Sequence, residues 1–214
     1  MIVLLLVAGF VAFRHSQDGP STAQEPAPPA EPTEGEQPAV ELFASLAVTG
    51  EVDRDGYARE AFGEGWLVGP DGCEVRDEVL VEESRVPVTR GADACTVVRG
   101  DWSSLYDGYT TPDPEELEID HMVPLAEAWD SGAGVWPAEQ REQYANDTRR
   151  PDALLAVTAA MNQSKSDRDP AEWMPPNRDA WCRYVDAWIT QKAAWKLTID
   201  PAEREALRNV LTSC

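Results

Sequence analysis

Apolar and polar residues divide this chain into three stretches of different pattern. A run of twelve apolar residues extends from Ile2 to Phe13, and a polar stretch rich in proline and glutamate follows it. Beyond that stretch, apolar residues recur at the spacings of strands and helices. The pattern predicts a leader over 1–16, a disordered acidic linker over 17–45 and one folded domain over 46–214.

The leader has the length of a signal peptide rather than that of a membrane span, which needs about 20 apolar residues. No basic region precedes the apolar run and no clean small-residue cleavage motif follows it, so a truncated signal peptide and a short membrane anchor both stay open. We therefore expect an exported protein, either secreted or tethered to the outer face of the membrane. Any contact with the membrane is expected through this segment alone.

The strands and helices of the domain are predicted from periodicity and from the residues that start or stop each element. The strand patterns lie at 76–82, 95–99, 117–125 and 153–157. The helix patterns lie at 57–63, from Pro137 towards Tyr144, after Thr158, from Asp169, over 181–195 and from Asp200. Three tryptophans share one face of the 181–195 helix, and this spacing favours a place in the core over stacking on bases.

Composition and charge exclude several classes of protein. The 214 residues include 39 acidic and 18 basic ones, which gives a formal net charge of −21, and 43% are hydrophobic. A protein this acidic is not a general nucleic-acid coat, because phosphate binding relies on lysine and arginine. The apolar content excludes disorder throughout the chain, and the length permits one compact domain with a tail.

Four cysteines, Cys73, Cys95, Cys182 and Cys214, are widely spaced and include no close pair of the kind that zinc sites use. Two disulfides in an oxidising compartment agree with the predicted export. Three pairings are open, and we favour Cys73–Cys95 with Cys182–Cys214 because each of these closes a local loop. Four free thiols in a reducing compartment are the alternative.

His121 is the only histidine in the predicted domain, and it directly follows Asp120 at the end of a predicted strand. An imidazole is the natural general base near neutral pH. The neighbouring carboxylate offers a hard oxygen ligand for a divalent cation. By itself, the pair is equally compatible with an edge strand that has no chemical role.

Further blocks of residues surround this pair in a definite order. They are Gly72–Leu80 (GCEVRDEVL), Glu118–Leu125 (EIDHMVPL), Leu154–Val157 (LLAV), Asn162–Asp167 (NQSKSD) and Asp169–Pro176 (DPAEWMPP). Their order resembles the HNH (ββα-metal) nuclease family, in particular exported actinobacterial proteins of the DUF1524 and GmrSD C-terminal type. The resemblance covers roughly 57–214. It implies an α+β fold with a ββα-metal (His-Me finger) core over about 115–168, additional helices and stapling disulfides.

The resemblance implies a role for each residue that matches the motif of the family. His121 is expected to be the base that activates water, and Asp120 and Asn162 to hold one divalent ion. Mg²⁺ suits these oxygen ligands best, and Mn²⁺ is also compatible. The central asparagine of the family, which ties down the loop facing the histidine, is best matched by Asn146, although Asp152 occupies the place just before the second strand.

Basic residues near the motif are candidates for contact with the substrate. Lys165 lies one helical turn after Asn162 and is expected to reach a phosphate, with Arg76 as a second candidate. Three more are assigned to substrate binding: Arg149, Arg150 and Arg168. A mixed, solvated surface is the alternative for these residues. Gln163 and Ser166 stand where the subgroup commonly has arginine and glycine.

The sequence therefore predicts an exported, metal-dependent HNH endonuclease that hydrolyses phosphodiester bonds of DNA, with RNA left open as a second substrate. It is expected to act as a monomer. The alternative is a catalytically inactive cell-surface interaction domain on the same fold. A serine or cysteine hydrolase is disfavoured, because the chain has no G-x-S-x-G motif and its cysteines are assigned to disulfides.

Overall fold

Short helices and short strands alternate along the residues that the computed structural model describes, which are 38–52 and 54–214. The helices are α1 (Ala39–Ser45), α2 (Val75–Glu83), α3 (Leu125–Asp130), α4 (Ala138–Ala145), α5 (Ala159–Lys165), α6 (Trp181–Trp195) and α7 (Pro201–Leu211). The strands are β1 (Thr89–Arg90), β2 (Val97–Arg99), β3 (Trp102–Ser103), β4 (Thr110–Thr111), β5 (Leu117–His121) and β6 (Leu154–Thr158). Single 3-10 turns lie at Arg59–Phe62, Pro114–Glu116, Ala133–Val135 and Arg178–Ala180.

The strands form three small antiparallel sheets, in the pairs β1–β2, β3–β4 and β5–β6. The β5–β6 pair is the longest, and its register runs from Leu117 opposite Thr158 to His121 opposite Leu154. The helix α5 starts directly after β6, whereas α3 and α4 lie between β5 and β6 along the chain. The fold is thus α+β, with its largest sheet at the centre of the predicted site.

The two faces of the β5–β6 pair are buried in different clusters, because successive side chains of a strand point to opposite faces. Ile119 and Leu154 pack against α2 and Trp102 in one cluster. Leu155 and Val157 face a larger cluster that also contains Tyr184 and Trp188 of α6. Every residue of β6 is buried, which is why its sequence is apolar from Leu154 to Val157.

Two predicted elements are wrong. The strand predicted at 76–82 is the helix α2, whose buried residues Val75, Val79 and Leu80 recur at helical spacing. The helix predicted from Asp169 is a single turn: Asp169 Oδ1 accepts the N–H groups of Ala171 and Glu172, as a cap does. The chain then reaches two prolines at 175–176, which disfavour further helix.

Two further details differ from the prediction. The helix α1 lies within the stretch predicted as linker and buries Phe43 against the main core. The strand predicted over 117–125 ends at His121, and α3 starts at Leu125 directly after Pro124. The predicted leader and most of the predicted linker lie outside the described residues. No helix in the described part of the chain is long and apolar enough to cross a membrane.

The two favoured disulfides are confirmed. Cys73–Cys95 ties the segment before α2 to the turn that precedes β2, and Cys182–Cys214 ties α6 to the residues after α7. The capping box predicted at Asp200 is also present, with Glu203 as its second member. These disulfides fit an extracellular location.

Candidate active site

A cleft of about 360 Å³ lies at the end of β5. Its wall includes Asp120 and His121 from β5, Asn162 from α5, and Tyr57 and Arg59 from the segment that leads into the first 3-10 turn. This volume lies within the range of about 300–1,000 Å³ that is common for ligand sites. The antiparallel register and the helix that follows β6 thus bring together the three residues that the sequence assigned to water activation and metal binding.

His121 is held as a neutral imidazole. Its side chain is 7% exposed, and its Nε2 lies 2.8 Å from the carbonyl oxygen of Ala145 at the end of α4. A carbonyl accepts, so Nε2 carries the proton and Nδ1 is left as the unprotonated nitrogen. Burial lowers the pKa of His121 to about 4, and the bond to Ala145 offsets only part of this effect. The ring is therefore neutral at neutral pH, and Nδ1 carries a lone pair.

A tryptophan covers one face of this imidazole. The rings of Trp66 and His121 are nearly parallel, with an interplanar angle of 16° and 5.5 Å between centroids. The carbonyl of Ala145 fixes the edge of the imidazole while Trp66 fixes its face. Together these contacts restrict the rotation of the imidazole, which sets the direction of Nδ1.

Asn146 connects the two groups that hold His121. Its Oδ1 accepts the N–H of Leu67, at 2.9 Å, and its Nδ2 donates to the carbonyl of Glu142, at 3.0 Å. It therefore ties the loop that carries Trp66 to the end of α4. This is the residue for which the sequence predicts a loop-fixing role. Asp152, the competing position, pairs instead with Arg183 of α6.

Asp120 is enclosed by two polar partners. Its Oδ2 accepts from the hydroxyl of Tyr106, at 2.5 Å, and from Nζ of Lys165, at 2.6 Å. Lys165 is fully buried and also donates to the carbonyl of His121, at 2.8 Å. Burial raises the pKa of Asp120 and lowers the pKa of Lys165, whereas their mutual attraction opposes both shifts.

The two predicted phosphate contacts are both corrected. The ammonium of Lys165 forms a buried ion pair with Asp120, so a substrate phosphate has no access to it. Arg76 lies on α2 and donates to the carbonyls of Pro114 and Leu117, at the opposite end of β5 from His121. The spacing of Lys165 from Asn162 was compatible with a cleft-facing side chain, but the acceptors buried beneath α5 decide its direction.

The three predicted substrate-binding arginines lie outside the wall of the cleft. Arg149 and Arg150 both pair with Asp147 in the loop after α4, and Arg149 also packs on the ring of Trp195. Arg168 donates from Nε to the carbonyl of Lys165, at 3.3 Å. These positions leave parts of the Arg149 and Arg150 side chains at the surface but bring neither next to His121.

The donors in the cleft fit a divalent cation. Nδ2 of Asn162 donates to Oε2 of Glu118, at 2.7 Å, which leaves its carbonyl oxygen as the atom suited to a cation. Both bonds recorded at Asp120 fall on Oδ2, and Asp120 keeps a second carboxylate oxygen. Hard oxygen donors of this kind match Mg²⁺ and Mn²⁺.

Sequence reasoning missed three residues of the site: Arg59, Trp66 and Glu118. Glu118 has a local signal, since it lies two residues before Asp120 and so on the same face of β5. Trp66 and Arg59 have none, because they belong to a segment far from His121 in the chain. Arg59 is exposed, and its positive charge adds to the lowering of the pKa of His121.

Comparisons with known proteins match the part of the chain that contains this cleft to a described family. The model of the family described as GmrSD restriction endonucleases, C-terminal domain, matches residues 75–210, more than half of the chain. A relative from Arthroderma benhamiae, described as an uncharacterized secreted protein, is 37% identical over 192 residues, which cover 90% of this chain and 91% of the relative. No solved structure matches the chain significantly.

Proposed function

We propose that this chain, which belongs to the GmrSD restriction endonuclease C-terminal domain family, is an exported, metal-dependent endonuclease that hydrolyses phosphodiester bonds of DNA. One observation carries the proposal. A neutral imidazole, His121, is fixed at Nε2 and on its face, and it shares a cleft with Asp120 and Asn162. The order of β5, β6 and α5 supports an HNH-type arrangement of these residues.

The reaction begins with a water molecule in line with the phosphorus and the leaving oxygen. His121 takes the proton of this water at Nδ1 as the water oxygen bonds to phosphorus. The bond between phosphorus and the leaving oxygen then breaks, and that oxygen takes a proton from solvent. A divalent ion held by Asp120 and Asn162 would supply positive charge to the phosphoryl oxygens and to the leaving oxygen.

The surrounding side chains keep these groups in place. Lys165 and Tyr106 fix one oxygen of Asp120, so the carboxylate enters the reaction already oriented. Trp66 and the carbonyl of Ala145 do the same for the imidazole. Such preorganisation lowers the cost of assembling the reacting groups, which is a large part of the barrier to phosphodiester hydrolysis.

The proposal also includes an extracellular location for the protein. The Arthroderma benhamiae relative is described as secreted, and two disulfides suit an oxidising compartment. We infer a protein that acts outside the cell as a monomer, released or held at the membrane by its leader. Its net charge of −21 implies weak general affinity for DNA, so binding should concentrate on the cleft.

The test is cleavage of a supercoiled plasmid by the purified protein in Mg²⁺, in Mn²⁺ and in EDTA. We expect nicked and linear products in either cation and none in EDTA. Asn162→Ala should abolish most of the activity, whereas Asn209→Ala, at an exposed asparagine of α7, should leave it unchanged. Intact plasmid under every cation would favour the inactive surface domain instead. A parallel assay with single-stranded RNA decides whether RNA is also cut.

A further inference from the structure

One wall of the cleft comes from outside the matched part of the chain. The matched residues are 75–210, whereas Tyr57 and Arg59 line the cleft and Trp66 stacks on His121. Residues 57–68, which we call the N-terminal arm, therefore complete the site. Their contribution belongs to this chain and is not assigned by the family match.

The N-terminal arm is firmly attached to the domain. Phe62 is 1% exposed and packs against the rings of Trp129 and Tyr144, with centroid distances of 6.3 and 6.0 Å. Nε of Arg141 donates to the carbonyl of Ala61, at 2.8 Å. Gly63 ends the turn with φ at 104°, a conformation that suits glycine. The arm thus presents Arg59 from a fixed backbone.

Arg59 lines two cavities that His121 also lines. It lines the 360 Å³ cleft with Asp120 and Asn162, and also a smaller cavity of about 60 Å³ with Trp66 and His121. The imidazole belongs to the wall of both spaces. A ligand held by the guanidinium of Arg59 in the larger cleft would therefore lie beside the proposed base.

The guanidinium of Arg59, unlike the charged groups of its basic neighbours, forms no ion pair with the described residues and is free to bind a ligand. Arg54 pairs with Asp130 and Asp167, and Lys165 pairs with Asp120. Arg59 is exposed and has no ion-pair partner among residues 38–52 and 54–214. Because the net charge of −21 disfavours anions elsewhere on the protein, an unpaired guanidinium that lines the cleft is the group suited to an anionic ligand there.

We propose that Arg59 binds a backbone phosphate of the nucleic acid beside the scissile bond, and so takes the place that the sequence had given to Lys165 and Arg76. This assignment rests on the proposed nuclease function. A guanidinium presents planar donors that match two phosphate oxygens, which a lysine ammonium does not reproduce. Arg59 would hold the strand and would leave the proton transfer to His121.

Binding and cleavage are measured separately to test this. The dissociation constant of a short fluorescein-labelled DNA duplex is determined by anisotropy in Mg²⁺, in a His121→Ala background that prevents cutting. Adding Arg59→Ala should weaken binding by about tenfold and reduce the slope of log affinity against log salt by about one. Arg59→Lys should fall between the two. Arg99→Ala, at an exposed arginine of β2, removes the same charge and should change neither quantity.

The outcomes separate the two proposals. If the wild type cuts DNA but Arg59→Ala binds as Arg99→Ala does, the phosphate contact is wrong and the nuclease function stands. If binding depends on Arg59 while the wild type cuts no DNA in any cation, the contact is supported and the nuclease function is wrong. Absence of both binding and cleavage overturns both.

Discussion

Nζ of Lys165 lies 2.6 Å from Oδ2 of Asp120, and both side chains are almost entirely closed to solvent. A buried carboxylate is costly unless it is paired and hydrogen-bonded. Lys165 and Tyr106 together meet this requirement. The lysine that looked like a phosphate contact therefore acts as the internal partner of the proposed metal ligand.

This pairing predicts the effect of Lys165→Met on stability. The substitution keeps an aliphatic side chain but leaves Asp120 with a single hydrogen-bond partner, and breaking a buried pair typically costs about 3–5 kcal/mol. Urea denaturation should show a loss of this size. Lys196→Met, at an exposed lysine, is the matched control and should be neutral. Adding Asp120→Asn to Lys165→Met should recover part of the loss, and a Lys165→Met protein of wild-type stability would contradict the pairing.

The stacking of Trp66 on His121 predicts that replacing Trp66 reduces the catalytic rate. Trp66→Ala should lower kcat by roughly 10- to 100-fold with a smaller change in KM. The imidazole of His121 would lose the stacked indole ring that restricts its rotation. Trp66→Phe retains an aromatic face and should restore most of kcat.

A separate signal distinguishes orientation from a general loss of structure. In protein labelled with ¹⁵N-histidine, the resonances of His121 should report a proton on Nε2 in the wild type and a mixture of tautomers in Trp66→Ala. An unchanged tautomer together with reduced kcat would refute the positioning role of Trp66.

The raised pKa of Glu83 predicts how the free energy of unfolding depends on pH. Burial raises the pKa of Glu83 to about 7 from an ordinary value of 4.5, although Oε2 accepts the N–H of Ala156 at 2.8 Å. Because the folded pKa is the higher one, the stabilising contribution of the protonated form is complete below pH 4.5 and is lost as pH rises through about 7. Glu83→Gln stays neutral and can still accept from Ala156.

The free energy of unfolding of Glu83→Gln should therefore rise relative to that of the wild type as pH increases across this window. Urea denaturation at several pH values measures the difference. Glu82→Gln, at the exposed neighbouring position on α2, should show no such trend. A difference between Glu83→Gln and wild type that stays constant with pH would contradict the shift.

The sequence predicted those parts of the fold that have a local cause. The apolar run of β6, the start of α5 after Thr158 and the capping box at Asp200 are all visible in short stretches. The helix α2 is not, because Val79 and Val81 alternate as they would in a strand. Its helical face becomes evident only from the cluster that Val75, Val79 and Leu80 form with Trp102.

Some residues of the candidate site were likewise predictable from local motifs, and others were not. Asp120, His121 and Asn162 were predicted from motifs within β5 and α5, and the cleft brings them together. The direction of Lys165 depends on Tyr106 and Asp120 beneath it, which no local spacing reveals. Arg59 and Trp66 enter the site through tertiary packing of the N-terminal arm, so sequence periodicity gave no sign of them.

The central claim is that His121 is the base, and the most direct measurement is the rate of plasmid nicking by His121→Ala in Mg²⁺. We expect a rate lower than that of the wild type by about 10²- to 10⁴-fold, the usual contribution of a general base. The folded fraction is checked by thermal unfolding of the same samples. Nicking by a folded His121→Ala protein at the wild-type rate would contradict the account.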